Sequence, residues 1–239
     1  MFASAFFKEN KMFKLKKYFT TTEIILWCSS AVAIIASFLI FDRNNYLTLG
    51  ASLIGITSLI FNAKGNPIGQ FLMVIFSVLY GIISYSFSYY GEMITYLGMT
   101  MPMAIFALIA WLRNPYNGNK AEVRVNTISR NETIFMWCLT AVVTVLFYFI
   151  LDYFRTNNII PSTISVTTSF LAVYLTLRRS PYFALAYAAN DIVLIVLWIL
   201  ATMTDSRYIS VIVCFVAFLF SDIYGYINWQ KMKVRQKLQ

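Results

Sequence analysis

The sequence contains no histidine, only three cysteines, and few charged residues: 12% of its 239 residues, about half the share usual in globular proteins. Without histidine, the chain lacks the commonest general base and the commonest transition-metal ligand. Cys28, Cys138 and Cys214 each lie inside an apolar stretch, so they indicate neither a disulfide framework nor a metal cluster. We therefore expect no catalytic residues, no metal and no cofactor.

Hydrophobic residues make up 59% of the chain, and its mean hydropathy is +0.68. So large an apolar fraction exceeds what a soluble domain of this size can bury, and it predicts an all-α integral membrane protein. Apolar stretches long enough to cross a bilayer predict eight transmembrane helices, at residues 24–41, 46–63, 67–90, 93–112, 133–151, 159–177, 182–204 and 208–230.

The net charge of +9 could indicate a nucleic-acid partner, but the distribution of the basic residues favours another explanation. If the N-terminus is cytoplasmic, only Arg43, Arg155 and Arg207 of the 19 basic residues fall in outer loops. This asymmetry follows the positive-inside rule. We expect a multi-pass protein of the bacterial inner membrane with both termini in the cytoplasm. Its partners would be the lipid bilayer and a small molecule, and no nucleic acid.

The two halves of the chain resemble each other in sequence. Residues 110 positions apart match in the first and fifth helices, and later landmarks keep their order. The matched pairs are Trp27 and Trp137, Cys28 and Cys138, Ala31 and Ala141, Val32 and Val142, Asp42 and Asp152, Pro67 and Pro181, and Trp111 and Trp229. Chance similarity could explain any one match, whereas the ordered set favours an internal duplication.

The longest polar stretch separates the two halves and predicts the organisation of the chain. The expected segments are a cytoplasmic basic N-terminal segment at 1–22, a four-helix repeat at 23–112, a cytoplasmic linker at 113–132, a second four-helix repeat at 133–230 and a cytoplasmic basic tail at 231–239. Because four is an even number, both repeats enter the membrane in the same direction, as in some secondary transporters. This symmetry favours a substrate path between the repeats, although a receptor or a membrane scaffold could also arise by duplication.

The seventh helix carries polar and aromatic residues on one stripe near the middle of the membrane. Tyr187, Asn190, Asp191 and Trp198 share this face by their helical spacing. An ionisable group at this depth is a functional candidate because it is costly in hydrocarbon. The alternative is that Asp191 only holds a neighbouring helix through a hydrogen bond.

The third helix, which corresponds to the seventh, carries Gln70 and Ser77 on one stripe with Tyr80 alongside. Together the two helices could wall a polar cavity. Small residues at helical spacing are also what close helix packing requires, so packing is the alternative for this stripe.

Two further acidic residues lie within or beside the predicted helices. Asp222 lies in the inner half of the eighth helix, where we expect an ion pair with Arg178 or Arg179. Glu92 lies at the outer turn between the third and fourth helices, where it could bind substrate or simply be solvated.

Two sequence blocks resemble a known family. The blocks are Tyr90-Gly91-Glu92-Met93 followed by Met101-Pro102-Met103 and Trp111, and a closing Tyr224-Gly225-Tyr226 with Trp229 before basic residues. This pattern resembles the PnuC-type vitamin transporters, although Tyr96 stands where that family often has asparagine and Tyr182 where it often has tryptophan. The resemblance implies a core similar to the SWEET sugar transporters, with a 3+1+3 helix arrangement and one extra helix.

The resemblance also implies a function. It implies uptake of nicotinamide riboside by facilitated diffusion, with alternating access and trapping of the nucleoside by cytoplasmic phosphorylation; relatives are assigned to thiamine, riboflavin or deoxynucleosides. Nicotinamide riboside has a cationic pyridinium, a carboxamide and a ribose, which call for aromatic or anionic, amide and hydroxyl partners. The candidate substrate-binding residues are Gln70, Ser77, Tyr80, Glu92, Tyr96, Tyr187, Asn190, Asp191 and Trp198. Thiamine would fit the same residues equally well.

Other classes of function fit the sequence less well. The chain contains no GxxxxGK[ST] motif, so it has no ATP-hydrolysing engine of its own, and we expect a transporter that is not an enzyme. A non-transporting membrane receptor is the alternative from another class. We also expect a small homo-oligomer.

Overall fold

The computed structural model describes residues 18–86, 89–156, 158–203 and 205–238, and eight long apolar helices dominate them. The helices are α1 (Thr21–Phe41), α2 (Tyr46–Ala63), α3 (Pro67–Ser86), α4 (Tyr90–Leu112), α5 (Arg130–Tyr153), α6 (Ile159–Leu177), α7 (Phe183–Thr202) and α8 (Ile209–Leu238). A 3₁₀ turn at Ser206–Tyr208 leads into α8. The expected all-α membrane fold with eight helices is confirmed. Most of the basic N-terminal segment expected at 1–22 lies outside the described residues.

Helix α4 changes its winding in the middle. Residues Tyr90–Thr95 and Met101–Leu112 are α-helical, whereas Tyr96–Thr100 form a π-helical turn in which the Met101 N–H donates to the Tyr96 carbonyl. Pro102 is the second residue of the second α-helical part; it has no N–H to donate, and its ring disturbs the preceding turn. The π-turn therefore follows from the proline, and it shifts the face on which Tyr96 lies.

The helices pack as a six-helix core with two peripheral helices. Within the core, α3 contacts α2 and α4, and α7 contacts α6 and α8. The two halves meet through equivalent pairs, since α2 packs on α8 and α6 packs on α4. At the periphery, α1 packs on α2 and α8, while α5 packs mainly on α6 and buries only three of its residues. The internal duplication stays a prediction. Two repeats related by symmetry would make such equivalent contacts between the halves.

The linker expected at 113–132 contains a β-hairpin. Strands β1 (Pro115–Tyr116) and β2 (Asn119–Val123) pair antiparallel around Asn117 and Gly118, both of which have positive φ. An Asn-Gly pair is the sequence that favours such a turn, because both residues tolerate the left-handed region. The linker therefore has structure of its own.

After the hairpin, the linker joins the turns at one end of the bundle. The Val123 N–H donates to the carbonyl of Gly65 in the α2–α3 turn, and the Asn126 N–H donates to the carbonyl of Arg179 in the α6–α7 turn. We call this end of the bundle, with the linker and the end of α8, the linker face. It is the end that the charge distribution predicts to be cytoplasmic.

Residues 231–238, which belong to the basic tail expected at 231–239, form the last turns of α8. Helix α8 continues to Leu238, where the Gln236 side chain accepts from the Val125 N–H at 2.8 Å and Arg235 pairs with Glu122. Lysine and arginine are good helix formers and are favoured in a last helical turn, so the basic composition does not end the helix.

Candidate functional site

A small cavity of about 20 Å³ lies inside the bundle between α2, α3, α4, α6, α7 and α8. Its polar lining comes from both halves and consists of Tyr96, Thr100, Ser169, Tyr187, Asn190, Asp191 and Asp222. Phe76, Phe215 and Phe218 provide aromatic walls. None of the lysines and arginines in the described part of the chain lines the cavity. The cavity therefore combines acidic, amide, hydroxyl and aromatic groups without a basic partner.

Two acidic side chains face each other in this cavity. The carboxyl groups of Asp191 on α7 and Asp222 on α8 lie within hydrogen-bonding reach, and the two residues are 3% and 4% exposed. In the described part of the chain, no donor reaches Oδ2 of Asp191. Two adjacent carboxylates repel each other in a low dielectric, so the pair needs a shared proton or a bound cation.

The expected ion pair of Asp222 with Arg178 or Arg179 is wrong. Asp222 lies level with Asp191, which is eight residues beyond Phe183 at the start of α7, or about 12 Å of helix from the basic turn. Arg178 instead pairs with Glu132 at the linker face, and this hydrogen bond raises the pKa of the Arg178 guanidinium. The basic turn is therefore too far away to neutralise the carboxyl pair.

Asn190 joins α7 to α6 at the wall of the cavity. Its Oδ1 accepts hydrogen bonds from three hydroxyls of α6: Thr168 at 2.8 Å, Ser169 at 3.0 Å and Ser165 at 3.3 Å. These three residues share one helical face because they are three and four positions apart. The carbonyl oxygen of Asn190 is therefore held by the protein, whereas its NH₂ group makes no hydrogen bond to the described residues.

An aromatic layer covers the cavity on the side away from the linker face. The Trp198 indole N–H donates to the Tyr80 hydroxyl at 2.9 Å, and the Tyr80 ring lies 4.4 Å from that of Tyr96. Tyr89 and Tyr208 pack on Trp198 at 4.9 and 5.3 Å between ring centroids. Tyr80 and Trp198 are thus one layer away from the cavity, with Tyr96 between that layer and the carboxyl pair.

Glu92 is buried, so the alternative that it is solvated at the outer turn is wrong. It is 2% exposed and lies beside the Ser165 hydroxyl, and in the described part of the chain no donor reaches its Oε2. It lies four residues before Tyr96, one turn of α4 further from the linker face. Glu92 is therefore close to the candidate site without lining the cavity.

Gln70 and Ser77 lie apart from the cavity. The Gln70 side-chain amide donates to Asn62 on α2 at 2.8 Å, and the Ser77 hydroxyl donates to the Met73 carbonyl in its own helix. Both contacts are those expected of helix packing. Of the nine residues expected to bind substrate, Tyr96, Tyr187, Asn190 and Asp191 are the ones that line the cavity.

Comparison with known proteins gives the family. Residues 45–231 match the family model described as "Nicotinamide mononucleotide transporter". The chain belongs to this family. Two relatives carry the name "Nicotinamide riboside transporter PnuC". The one from Neisseria mucosa is 28% identical over 221 residues, covering 90% of this chain and 83% of the relative, and the one from Haemophilus influenzae is 24% identical over 196 residues, covering 80% and 82%.

A solved structure has the same fold as this chain. A structure described as "Crystal structure of the Vitamin B3 transporter PnuC" superposes with a TM-score of 0.81 at 22% identity, covering 91% of this chain and 94% of that one. The expected resemblance to PnuC-type transporters is confirmed. The family match begins at residue 45, after α1, which agrees with the peripheral position of α1 in the bundle.

The residues that carry the family resemblance shape α4 around the cavity. A Cβ on Gly91 would lie 2.7 Å from Leu151 and 2.8 Å from Thr156, so glycine lets the start of α4 pack against the end of α5. One turn later comes Tyr96, and Pro102 ends the π-turn that begins there. In this member of the family, the block therefore positions Tyr96 at the cavity wall.

Sequence reasoning missed several residues that line the cavity. Asp222 lines the cavity instead of pairing with an arginine, and Thr100 and Ser169 line it without being among the expected residues. A usable signal existed for Ser169, since Ser165, Thr168 and Ser169 form a hydroxyl face on α6 at helical spacing.

Proposed function

We propose that this protein takes up nicotinamide riboside across the bacterial inner membrane by facilitated diffusion. The main support is the pair of buried carboxyl groups, Asp191 and Asp222, which share one cavity. This cavity has aromatic walls, and among the described residues no lysine or arginine lines it. A permanently cationic, aromatic substrate satisfies both features. The names of the two relatives support the same substrate.

The other groups of the cavity suit the rest of the nucleoside. Tyr96 and Tyr187 offer ring faces to the pyridinium, which is attracted to aromatic rings as well as to carboxylates. The free NH₂ of Asn190 can donate to the carboxamide oxygen, and the hydroxyls of Thr100 and Ser169 can meet the ribose. Thiamine, which is also cationic and aromatic, is the natural competitor in any binding test.

The charge of the site favours the nucleoside over its phosphorylated form. The family description refers to nicotinamide mononucleotide, whose phosphate adds negative charge. A phosphate in this cavity would face Asp191 and Asp222 without a basic side chain to pair with. We therefore assign the riboside, and not the mononucleotide, as the transported species.

Transport requires the cavity to open on one side at a time. Its volume of about 20 Å³ is far below the ~300–1,000 Å³ of typical ligand pockets, so the described conformation is closed. The Tyr80–Trp198 layer closes one side. Towards the linker face, the rings of Trp111 and Trp229 pack at 5.4 Å, and their indole N–H groups donate to the carbonyls of Thr176 and Asn62.

Both closing layers join the first half of the chain to the second. Tyr80 on α3 meets Trp198 on α7, while Trp111 on α4 meets α6 and Trp229 on α8 meets α2. Rocking the two repeats against each other would separate one layer while the other stays closed. This is the alternating access we assign to the protein, with both termini on the cytoplasmic side.

The driving force would come from the substrate itself and from later metabolism. Because nicotinamide riboside carries one positive charge, an inside-negative potential of 100 mV contributes about 2.3 kcal/mol, or roughly fiftyfold accumulation, without any coupled ion. Phosphorylation in the cytoplasm then traps the nucleoside as an anion that the carboxyl pair rejects.

Binding of radiolabelled nicotinamide riboside to the purified protein in detergent tests the assignment. We expect saturable binding, competition by thiamine, and nicotinamide mononucleotide at least tenfold weaker as a competitor. Equal competition by the mononucleotide would overturn the role given to the carboxyl pair.

A further inference from the structure

A second cavity opens towards the membrane between α5, α6 and α7. It has a volume of about 460 Å³, and its walls are mainly apolar. Trp137 on α5 and Leu185 on α7 line it and are 55% and 49% exposed, while Leu171 on α6 forms part of its floor. We call this cavity the α5–α7 groove. Its apolar walls and lateral opening suit an acyl chain of the surrounding lipid.

The end of the α5–α7 groove at the linker face is polar and basic. Lys233 and Thr127 line this end, and Lys233 has no acidic partner among the described residues. In the turn that leads to the lining residue Ser180, Nη1 of Arg179 is buried without a partner in that same part of the chain. Burial, followed by the proximity of Arg178 and Arg124, lowers the pKa of Arg179. Among the described residues, Lys233 is therefore an unpaired cation at the polar end of the groove, and an anion bound there would pair with it.

A groove in the first half of the chain provides a contrast. It has about 370 Å³, lies between α1 and α2, and is likewise lined by a tryptophan, Trp27, and by other apolar residues. Its polar end carries Glu23, whose carboxylate binds Lys64 at 3.0 Å and the Tyr224 hydroxyl at 3.0 Å. The charge at that end is already neutralised within the protein. The two grooves thus differ in charge while sharing their apolar character.

We propose that the α5–α7 groove binds one anionic phospholipid, with an acyl chain along Trp137, Leu171 and Leu185 and the phosphate at Lys233. The phosphate accepts from the ammonium of Lys233 and from the hydroxyl of Thr127, and the headgroup lies at the leaflet where the basic residues concentrate. The α1–α2 groove, without a free cation, discriminates less between lipid headgroups.

Native mass spectrometry of the purified full-length protein with added phosphatidylglycerol or phosphatidylethanolamine tests this site. We expect preferential binding of one phosphatidylglycerol. Lys233→Gln should weaken it about fivefold, the effect of one basic residue at an anionic lipid surface. Lys231→Gln is the matched control, because Lys231 is exposed on the same helix and does not line the groove. Ala189→Phe, which places a ring in the groove, should lower binding of both lipids there.

The alternatives give different results. Equal binding of both lipids, or binding of phosphatidylglycerol that neither Lys233→Gln nor Ala189→Phe changes, would overturn the proposal. If Ala189→Phe instead dissociates an oligomer and leaves lipid binding intact, a second copy of the chain covers the groove and the lipid assignment is wrong. Retention of helical circular dichroism and of a monodisperse elution profile identifies variants that fold. None of these outcomes depends on which solute is transported.

Discussion

The carboxyl groups of Asp191 and Asp222 face each other inside the bundle, on neighbouring helices and at the same depth. In the described part of the chain, the basic side chains lie outside the cavity that the pair lines. A proton or a cationic substrate can therefore satisfy the pair, and the two compete. Several testable consequences come from this relationship and from the contacts around it.

Asp222→Asn should weaken binding of nicotinamide riboside at least tenfold, because the variant removes one of two carboxylates that attract the pyridinium. Asp191→Asn should act in the same way. The matched control is Asp205→Asn, since Asp205 pairs with Arg207 in the turn between α7 and α8. Radioligand binding in detergent measures the effect. The uncharged dihydro form of the nucleoside should bind the wild type and the three variants with equal affinity. If a variant loses affinity for the dihydro form as much as for the cationic form, it damages the site rather than its charge.

Binding of the cationic nucleoside should weaken as the pH falls. Protons stabilise the Asp191–Asp222 pair in the empty site, so at acidic pH the substrate must displace a bound proton. Binding isotherms from mildly alkaline to mildly acidic pH should show this loss for the wild type. The double variant Asp191→Asn/Asp222→Asn should bind weakly at every pH. A wild-type affinity that does not change with pH would contradict competition between proton and substrate.

Asn190→Ala should lower thermal stability as well as substrate affinity. The substitution leaves the hydroxyls of Thr168, Ser169 and Ser165 without their shared acceptor, at a cost of about 1–2 kcal/mol. Asn190→Asp keeps an acceptor at the same position and should retain more of the stability. Melting temperatures in detergent compare the variants. An unchanged melting temperature for Asn190→Ala would mean that these hydrogen bonds do not hold α7 to α6.

Tyr80→Phe should loosen the aromatic layer away from the linker face. It removes the 2.9 Å hydrogen bond from Trp198, worth about 1 kcal/mol, so open conformations should become about fivefold more populated. Cys214 is a native reporter, because it is buried and close to Tyr80 and Tyr96. In a background with Cys28→Ser and Cys138→Ser, maleimide should label Cys214 faster in Tyr80→Phe.

The matched control for that labelling experiment is Tyr85→Phe, because Tyr85 lies on the same helix and is 61% exposed. Equal labelling rates in the two variants would show that the Tyr80–Trp198 hydrogen bond does not hold the layer closed. Cys214→Ala in the same background should abolish maleimide labelling, which would show that the label reacts with Cys214.

The sequence allowed much of the fold and part of the site to be predicted. Helix number followed from apolar length, and the stripe of Tyr187, Asn190 and Asp191 followed from helical spacing. The partner of Asp222 could not be predicted, because one sequence does not say which helices are neighbours or how deep each residue lies. Proximity in sequence to a basic face suggested an arginine, while the packing of α8 on α7 provided Asp191 instead.

Local misassignments had other physical causes. Glu92 follows a tight turn, which left solvation open as an alternative, yet it is buried beside Ser165 of α6. The sequence alone does not show that the basic segment after residue 230 stays helical; contacts with Glu122 and Val125 hold it as the end of α8. The hairpin has a local sequence signal of its own, because Asn117-Gly118 is a pair that favours a tight β-turn.

Uptake of radiolabelled nicotinamide riboside into proteoliposomes tests the central claim most directly. Vesicles should be loaded with a nucleoside kinase and ATP, with the mononucleotide and thiamine as competitors and an imposed membrane potential as a variable. In vesicles without ATP we expect saturable uptake that an inside-negative potential stimulates. In vesicles with ATP and active kinase we expect the nucleoside to accumulate. No uptake above that of protein-free vesicles would contradict the proposed function.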